Sequence, residues 1–217
     1  MERRIISLAS HPVRLEQRVG TDYPYAVGLA SVFYNAADPG TEYTLWDYED
    51  DKAVERILPT AFDAVLRQGV DCAALFNHDP NMLLGRTLAG TLSLEKTDAG
   101  LAYAIQMPDC PMAANVLESI KRGDLRGSSF SFRVNREGQR WIAQGKLSIR
   151  EIHSISELYD VGPVVFPAYP ATTAGLRSVV GSDVEARKAF EAWRAEQRKR
   201  ATLAQAEVRA RCVRLGL

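Results

Sequence analysis

Short runs of apolar, β-branched and aromatic residues recur along most of the chain, separated by turn signals. Runs of this kind are typical of β-strands. In residues 127–134, for example, Phe130, Phe132 and Val134 alternate with polar residues, which is the period of a half-buried strand. The pattern predicts strands over residues 26–34, 71–77, 90–94, 102–107, 127–134, 146–152 and 155–165.

Two shorter segments carry the start and stop signals of helices. Residues 60–68 open with Thr60 and Asp63, which have the spacing of a capping box, and a glycine follows the segment. Residues 111–122 open with a proline, which is favoured in the first turn, and end before Gly123. Both segments are therefore predicted to be short helices between strands.

A third and longer helix is predicted from about residue 183 to about residue 214. Ser182 and Glu185 have the spacing of another capping box. Apolar or small residues then recur at helical spacing and predict one continuous stripe. The stripe consists of Phe190, Trp193, Ala201, Ala204, Val208 and Leu215.

The order of these elements favours an α+β fold. The helices interrupt the strands without a strict strand–helix alternation, so a mostly antiparallel sheet or a closed β-barrel flanked by helices is expected, followed by the C-terminal helix. Residues 35–51 are acidic and rich in turn formers, and are predicted to form a mobile loop.

Composition excludes several classes of protein. The 217 residues include 27 Lys or Arg and 27 Asp or Glu, a balance that argues against a dedicated nucleic-acid binder. Three widely separated cysteines without a CxxC pair argue against a zinc ribbon or a disulfide scaffold, and favour a reducing compartment. No apolar stretch is long enough to span a bilayer, and the start of the chain does not resemble a secretory signal.

The neutral total hides an uneven distribution of charge. Residues 183–217 hold nine basic and five acidic residues, a net charge of +4, so residues 1–182 carry −4. This difference predicts a body over residues 1–180 and a basic amphipathic helix over residues 181–217. That helix is either a surface for a partner or a solvated tail, since charged runs are usually solvated faces.

Histidine is scarce, which limits where nucleophilic chemistry could occur. His11 lies in the polar N-terminal segment and His153 at the end of a strand, whereas His78 lies where an apolar strand breaks into a turn, in the sequence LFNHDP of residues 75–80. A side chain at the end of a strand can be held rigidly and still reach a cleft. The alternative is a solvated turn histidine. No second histidine or cysteine lies at metal-ligand spacing from His78, so no metal site is predicted.

The strand over residues 127–134 offers a nucleophile. If Phe130 and Phe132 face the core, Ser129 and Ser131 face the other side, whereas Ser128 shares the face of the phenylalanines. A hydroxyl on a stiff strand has the rigidity that a nucleophile needs. The alternative is an ordinary half-buried strand with polar residues on its outer face.

A carboxylate interrupts the last apolar strand. Asp160 lies in ELYDVGPVV of residues 157–165, where a charged group costs free energy unless it is paired or hydrogen-bonded. Orienting a histidine is one use for such a carboxylate. The alternative is a solvated aspartate on an edge strand.

These segments occur in a distinctive order with several others. The chain carries GLASVFYN at 28–35, LPTAF at 58–62, LFNHDP at 75–80, LGRT at 84–87, IKRGD at 120–124, SFSFRV at 129–134, LYDV at 158–161 and FPAYPAT at 166–172. This ordered set resembles the prohead (head maturation) protease family of tailed bacteriophages, over about residues 25–175.

The resemblance implies a serine endopeptidase similar in fold to the herpesvirus assembly proteases, with a β-barrel flanked by helices. By position, Ser129 matches the family's nucleophile, His78 its catalytic histidine, and Asp160 the Glu or Asp that is usually its third member. His153 is the reserve for that third position. Arg86 and Arg133 are weaker candidates for charge in the cleft.

Two positions depart from the family's usual pattern. The family often has glycine where this chain has Ser131, and serine where it has Gly162. Neither change removes a catalytic atom, but Ser131 adds a side chain beside the nucleophile and could narrow the cleft.

The resemblance also implies substrates and a setting. The expected substrates are the scaffold or delta segment of the major capsid protein and the protease's own termini, cleaved inside the immature capsid in the host cytoplasm. Self-association is expected, and no cofactor, nucleic acid or membrane is implied. The alternatives are a catalytically inactive capsid-assembly or scaffolding module on the same fold, and an esterase for small molecules.

Overall fold

The computed structural model describes residues 1–6, 12–48, 51–165 and 182–215. Within these residues the chain forms thirteen strands and three α-helices. The helices are α1 (Asp63–Arg67), α2 (Pro111–Arg122) and α3 (Ser182–Leu215). The strands are β1 (Glu2–Ile6), β2 (Arg14–Glu16), β3 (Tyr25–Val32), β4 (Tyr43–Tyr48), β5 (Asp51–Ile57), β6 (Ala73–Leu75), β7 (Leu83–Arg86), β8 (Leu92–Lys96), β9 (Gly100–Gln106), β10 (Gly127–Arg133), β11 (Gln139–Gln144), β12 (Leu147–Ile152) and β13 (Glu157–Val164).

The strands form three separate sheets. Their orders are β1-β10-β13-β6-β7, β11-β12-β5-β4 and β2-β3-β9-β8. All neighbouring pairs are antiparallel except β5 with β12 and β6 with β13. The expected α+β class, the mostly antiparallel pairing and the C-terminal helix are therefore confirmed.

The expected closed barrel is wrong for the described residues, because each sheet ends in two edge strands. The sheets meet through their side chains instead. Phe130 of β10 packs edge-on against Tyr43 of β4 and Phe62, and stacks on Phe132 at 4.8 Å between ring centroids. Burial of these rings holds the layers together without a continuous hydrogen-bonded wall. The likeness to the fold of herpesvirus proteases stays an expectation.

Helix α2 has the predicted bounds. Pro111 occupies its first turn, and Gly123 ends it in the left-handed conformation with φ of 80°. Its apolar positions Ala113, Val116 and Ile120 are buried at helical spacing. The sequence signals work here because they are local and agree with one another.

Helix α1 begins three residues later than predicted, so the capping box at its start is wrong. The Thr60 hydroxyl donates a hydrogen bond to the carbonyl of His153 at 3.0 Å. Asp63 accepts a hydrogen bond from the Lys96 ammonium at 2.5 Å. Contacts to distant residues therefore replace the local cap.

The segment over residues 35–51, predicted to be a loop, contains regular secondary structure in its described part. It contains a turn of 3₁₀ helix at Pro39–Thr41, followed by strand β4. Leu45 and Trp46 are buried next to each other, because a bulge in the pairing with β5 breaks the alternation of β4. The acidic composition of the segment gives no indication that Leu45 and Trp46 are buried.

Helix α3 is attached to the body near its start. Ala186 and Phe190 are buried against Trp46 and Trp141, and the Phe190 ring lies 5.0 Å from that of Trp141. Trp193 packs against the same cluster, whereas Leu203 is 64% exposed. The first two residues of the predicted stripe, Phe190 and Trp193, therefore contact the body. Ala204, further along the same stripe, is exposed.

No helix in the described part of the chain combines the length and the apolarity needed to cross a membrane.

We expect Phe190→Ala to lower the free energy of unfolding by about 3–5 kcal/mol, because it empties a buried aromatic site. Urea unfolding would measure this loss. Leu203→Ala on the same helix is the matched control, and should change stability by no more than about 0.5 kcal/mol. Equal stabilities for the two variants would contradict the packing, and would favour the boundary at residue 180 as the end of the folded body.

Candidate active site

Ser129 lies on β10, an interior strand of the five-stranded sheet. This strand pairs with β1 on one side and β13 on the other, with Ser129 opposite Ile5 and Gly162. Phe130 and Phe132 fill the core on one face, and Ser129 is itself fully buried. A strand paired on both sides holds the Ser129 hydroxyl rigidly.

Ser128 points to the opposite face, as the alternation predicts. Its hydroxyl lies 2.8 Å from the phenol oxygen of Tyr103. Burial raises the pKa of Tyr103, so the phenol stays protonated and the pair shares a hydrogen bond. Ser128 is thus a core residue with a partner of its own.

We expect Ser128→Ala to keep full activity in any assay of this site while lowering the free energy of unfolding by about 1 kcal/mol, because the Tyr103 hydroxyl loses its partner. Urea unfolding and turnover of the same preparation would measure both. A Ser128→Ala protein that is stable but inactive would reverse the assignment of the two serines.

His78 lies in a strained turn after β6. Asn77 and His78 have φ of 54° and 58°, a left-handed conformation that costs non-glycine residues roughly 1–3 kcal/mol each. The Asn77 amide oxygen accepts a hydrogen bond from the backbone N–H of Val165 at 2.9 Å. This bond fastens the turn to the end of β13 and directs the His78 ring toward the sheet.

Asp160 lies on β13, between β10 and β6, and is buried. Its carboxylate contacts Nδ1 of His78.

The Cys72 thiol lies near Asp160, but burial, together with the charges of Asp160 and Asp71, raises the pKa of this thiol. Cys72 therefore stays protonated, which is unfavourable for a nucleophile.

The structure brings the three predicted residues into one chain of contacts. Nε2 of His78 lies 2.5 Å from the Ser129 hydroxyl oxygen, and Nδ1 faces Asp160. A carboxylate accepts from Nδ1–H, so the partners assign the tautomer in which Nε2 accepts the Ser129 proton. This connectivity is that of a nucleophile, a base and a group that orients the base.

Ser131 joins the same group of side chains. Its hydroxyl oxygen lies 3.1 Å from Nδ1 of His78, and it is directly opposite Asp160 in the strand register. The side chain that departs from the family's usual glycine thus lies beside the imidazole, on the side away from the Ser129 contact.

Gly162, the other departure, is required by close packing. A Cβ atom at this position would lie 2.2 Å from the carbonyl oxygen of Leu75. The absence of a side chain lets β13 approach β6, which carries the turn with His78. A serine here would need a shift of the backbone that positions the histidine.

Several other predicted residues lie elsewhere. His153 has its Nε2 2.8 Å from the carbonyl of Glu137. Arg86 pairs with Asp71, and Arg133 with Glu157, both at the surface. His11 and the motif at 166–172 are outside the described residues.

Sequence reasoning missed a buried cluster of four charged residues beside Ser129. Glu2 and Arg4 of β1 meet Glu55 of β5 and Arg150 of β12, and each is at most 5% exposed. Burial alone would raise the pKa of Glu2, but the hydrogen bonds and charges of Arg150 and Arg4 outweigh it and lower that pKa. Glu2 and Arg4 alternate with Arg3, so the N-terminal segment looks uniformly polar and carries no signal of burial.

Among the residues whose placement is described, no group of three or more histidine, cysteine or acidic side chains could hold a metal ion.

Comparison with known proteins identifies one family. A family model described as caudovirus prohead serine protease matches residues 40–188, a range that contains Ser129, His78 and Asp160. Neither the curated proteins nor the solved structures include a match. Because the matched range covers more than half of the chain, the protein belongs to the caudovirus prohead serine protease family.

Proposed function

We propose that this protein is an active serine endopeptidase in which Ser129 is the nucleophile, His78 the general base and Asp160 the residue that orients the imidazole. The observation that carries the proposal is the unbroken line of contacts from Ser129 through His78 to Asp160. Family membership supports the same chemistry.

The first half of the reaction forms an acyl-enzyme. The Ser129 oxygen attacks the carbonyl carbon of the scissile peptide bond while its proton moves to Nε2 of His78. The carboxylate of Asp160 stabilises the resulting imidazolium through Nδ1–H and does not itself take the proton. His78 then gives the proton to the leaving amine, and the C–N bond breaks.

The second half regenerates the enzyme. A water molecule gives a proton to Nε2 and attacks the acyl carbon, and the Ser129 oxygen leaves with the proton returned by His78. No step needs a metal or an organic cofactor, since both protons pass through one imidazole.

For substrate, we propose the scaffold or delta segment of the major capsid protein and the protease's own termini, cleaved inside the immature capsid in the host cell. The family's description as a prohead protease supports this assignment. Self-association within the capsid belongs to the same proposal.

Co-expression with the major capsid protein of the same phage tests the substrate. We expect discrete products, which mass spectrometry would map to a few sites in the capsid protein's scaffold segment and in the protease's termini. An intact capsid protein in the presence of folded protease would contradict the proposal. The control is the same co-expression with His78→Ala, which should leave both chains intact.

Two small-molecule assays separate the alternatives. An active serine hydrolase should react with a fluorophosphonate probe at Ser129, whereas a catalytically inactive scaffolding module should not. An esterase should turn over nitrophenyl esters far better than peptides. Labelling at Ser129 together with cleavage of the capsid protein would support the endopeptidase over both.

A further inference from the structure

The Ser129 hydroxyl has a second hydrogen-bonding partner besides His78. Its oxygen lies 2.8 Å from the backbone carbonyl oxygen of Arg4 on β1 and 2.5 Å from Nε2 of His78. A serine side chain has three staggered rotamers. The hydroxyl carries one proton, so the Arg4 carbonyl oxygen and Nε2 of His78, both acceptors, share it. Only a rotamer that places the Ser129 oxygen within reach of both acceptors allows this sharing, so β1 takes part in setting where the nucleophile points.

The position of Arg4 is set by the pairing of β1 with β10, in which Arg4 lies opposite Phe130, and by its own side chain. Its guanidinium binds Glu55 at two points, with Nε 2.5 Å from Oε1 and Nη2 2.9 Å from Oε2. Glu55 is fully buried and belongs to β5 of a different sheet. The pair therefore fastens β1, an edge strand, to the neighbouring layer across 51 residues of sequence.

The other two members of the cluster, Glu2 and Arg150, balance its charge. Arg150 contacts Glu2 through Nη1 and, at 2.8 Å, through Nη2, and it reaches Glu55 at 2.7 Å. Its Nε donates to the side-chain oxygen of Gln139 at 2.7 Å. Two positive and two negative charges thus satisfy one another in the core.

Stability is a weak reason for such a cluster. Desolvation of buried charges offsets much of their attraction, and apolar replacements of similar size are often neutral or stabilising. A two-point pair of charges does, however, hold a strand in one place more strictly than apolar side chains do. The cluster lies beside the nucleophile, where strict placement matters most.

We propose that Arg4 is a positioning residue for Ser129: its pairing with Glu55 holds the Arg4 carbonyl oxygen against the hydroxyl and keeps the nucleophile in the rotamer that faces His78. The inference rests on the proposed function for its catalytic consequence, although the rotamer can be tested without activity.

Two matched double variants of the full chain test this inference. Arg4→Met with Glu55→Leu removes one charge of each sign and leaves the two-point pair of Glu2 and Arg150. Glu2→Leu with Arg150→Met removes the same charges, and with them the 2.9 Å contact of Arg4 Nη2 with Glu2, but leaves the two-point pair of Arg4 and Glu55. Each variant keeps the cluster neutral, so neither leaves an unpaired buried charge.

We expect the Arg4/Glu55 variant to lose about 10-fold in its rate of fluorophosphonate labelling and in kcat, with KM unchanged. The Glu2/Arg150 variant should stay within about 2-fold of the natural protein. Arg4→Lys, which keeps the charge but not the two-point geometry, should fall between them. Equal labelling in both double variants would overturn the inference, and faster labelling in the Arg4/Glu55 variant would do so too, by identifying the carbonyl as a competitor for the hydroxyl proton.

Crystal structures of the two variants give a readout that does not depend on activity. The Ser129 oxygen should leave its contact with His78 in the Arg4/Glu55 variant and keep it in the other. If the natural protein is not labelled at all, the proposed function fails, and the rotamers still decide the positioning role. If it is labelled and the rotamer is the same in both variants, the positioning role fails and the proposed function stands.

Discussion

Ser129→Ala is expected to abolish cleavage of both the capsid protein and the protease itself, with kcat falling by about 10⁴-fold or more. Removal of the nucleophile typically has an effect of this size, because only substrate binding and charge stabilisation remain. Mass spectrometry of co-expressed chains would detect the loss. The variant should remain folded, since the substitution removes one oxygen from a strand held on both sides.

The matched control for this loss is Ser128→Ala. It makes the same substitution one residue earlier on the same strand, but on the face toward Tyr103. The pair of variants therefore separates loss of the nucleophile from disturbance of β10. A Ser129→Ala protein that still cleaves would show that another group attacks the peptide.

Asp160→Asn is expected to lower kcat by about 10³–10⁴-fold with little change in KM. An amide that donates to Nδ1 of His78 favours the tautomer whose Nε2 carries a proton, and such an imidazole cannot accept one from Ser129. The Ser131 hydroxyl, 3.1 Å from Nδ1, can still accept from the productive tautomer, so part of the activity should survive. Cleavage of a peptide spanning a mapped capsid site would measure the loss.

His153→Ala is the control for the third position. The His153 ring is hydrogen-bonded to the Glu137 carbonyl, away from the group formed by Ser129, His78 and Asp160. We expect its removal to leave the rate unchanged. If Asp160→Asn kept the rate and His153→Ala abolished it, the roles of the two residues would be reversed.

Where local sequence signals agree with one another, the predicted elements match those of the structure. Helix α2 has its predicted bounds because Pro111 and Gly123 act within one turn of the chain. Strand β10 has the predicted parity because its alternation spans seven residues and the apolar side chains can face only one core. This alternation alone predicts that Ser129 and Ser128 point to opposite faces of the strand.

Where contacts with distant residues compete with local sequence signals, the structure differs from the prediction. Thr60 does not cap α1, because it binds the carbonyl of His153. Residues 35–48 are not a simple loop, because they include strand β4, in which Leu45 and Trp46 are buried. The predicted closed barrel is wrong for the residues that the structure describes, because amphipathic strands are compatible with both a barrel and packed sheets, and only the pairing partners distinguish them.

By itself, the sequence determined the family, the strand that carries Ser129, and the residues from which a reactive group could be built. Only the tertiary structure decided that His78 meets Ser129 across 51 residues and Asp160 across 82. It also decided that Glu2, Arg4, Glu55 and Arg150 are buried together. The physical reason is that alternation and capping depend on neighbours along the chain, whereas the pairing of charges and hydroxyls depends on which strands lie side by side.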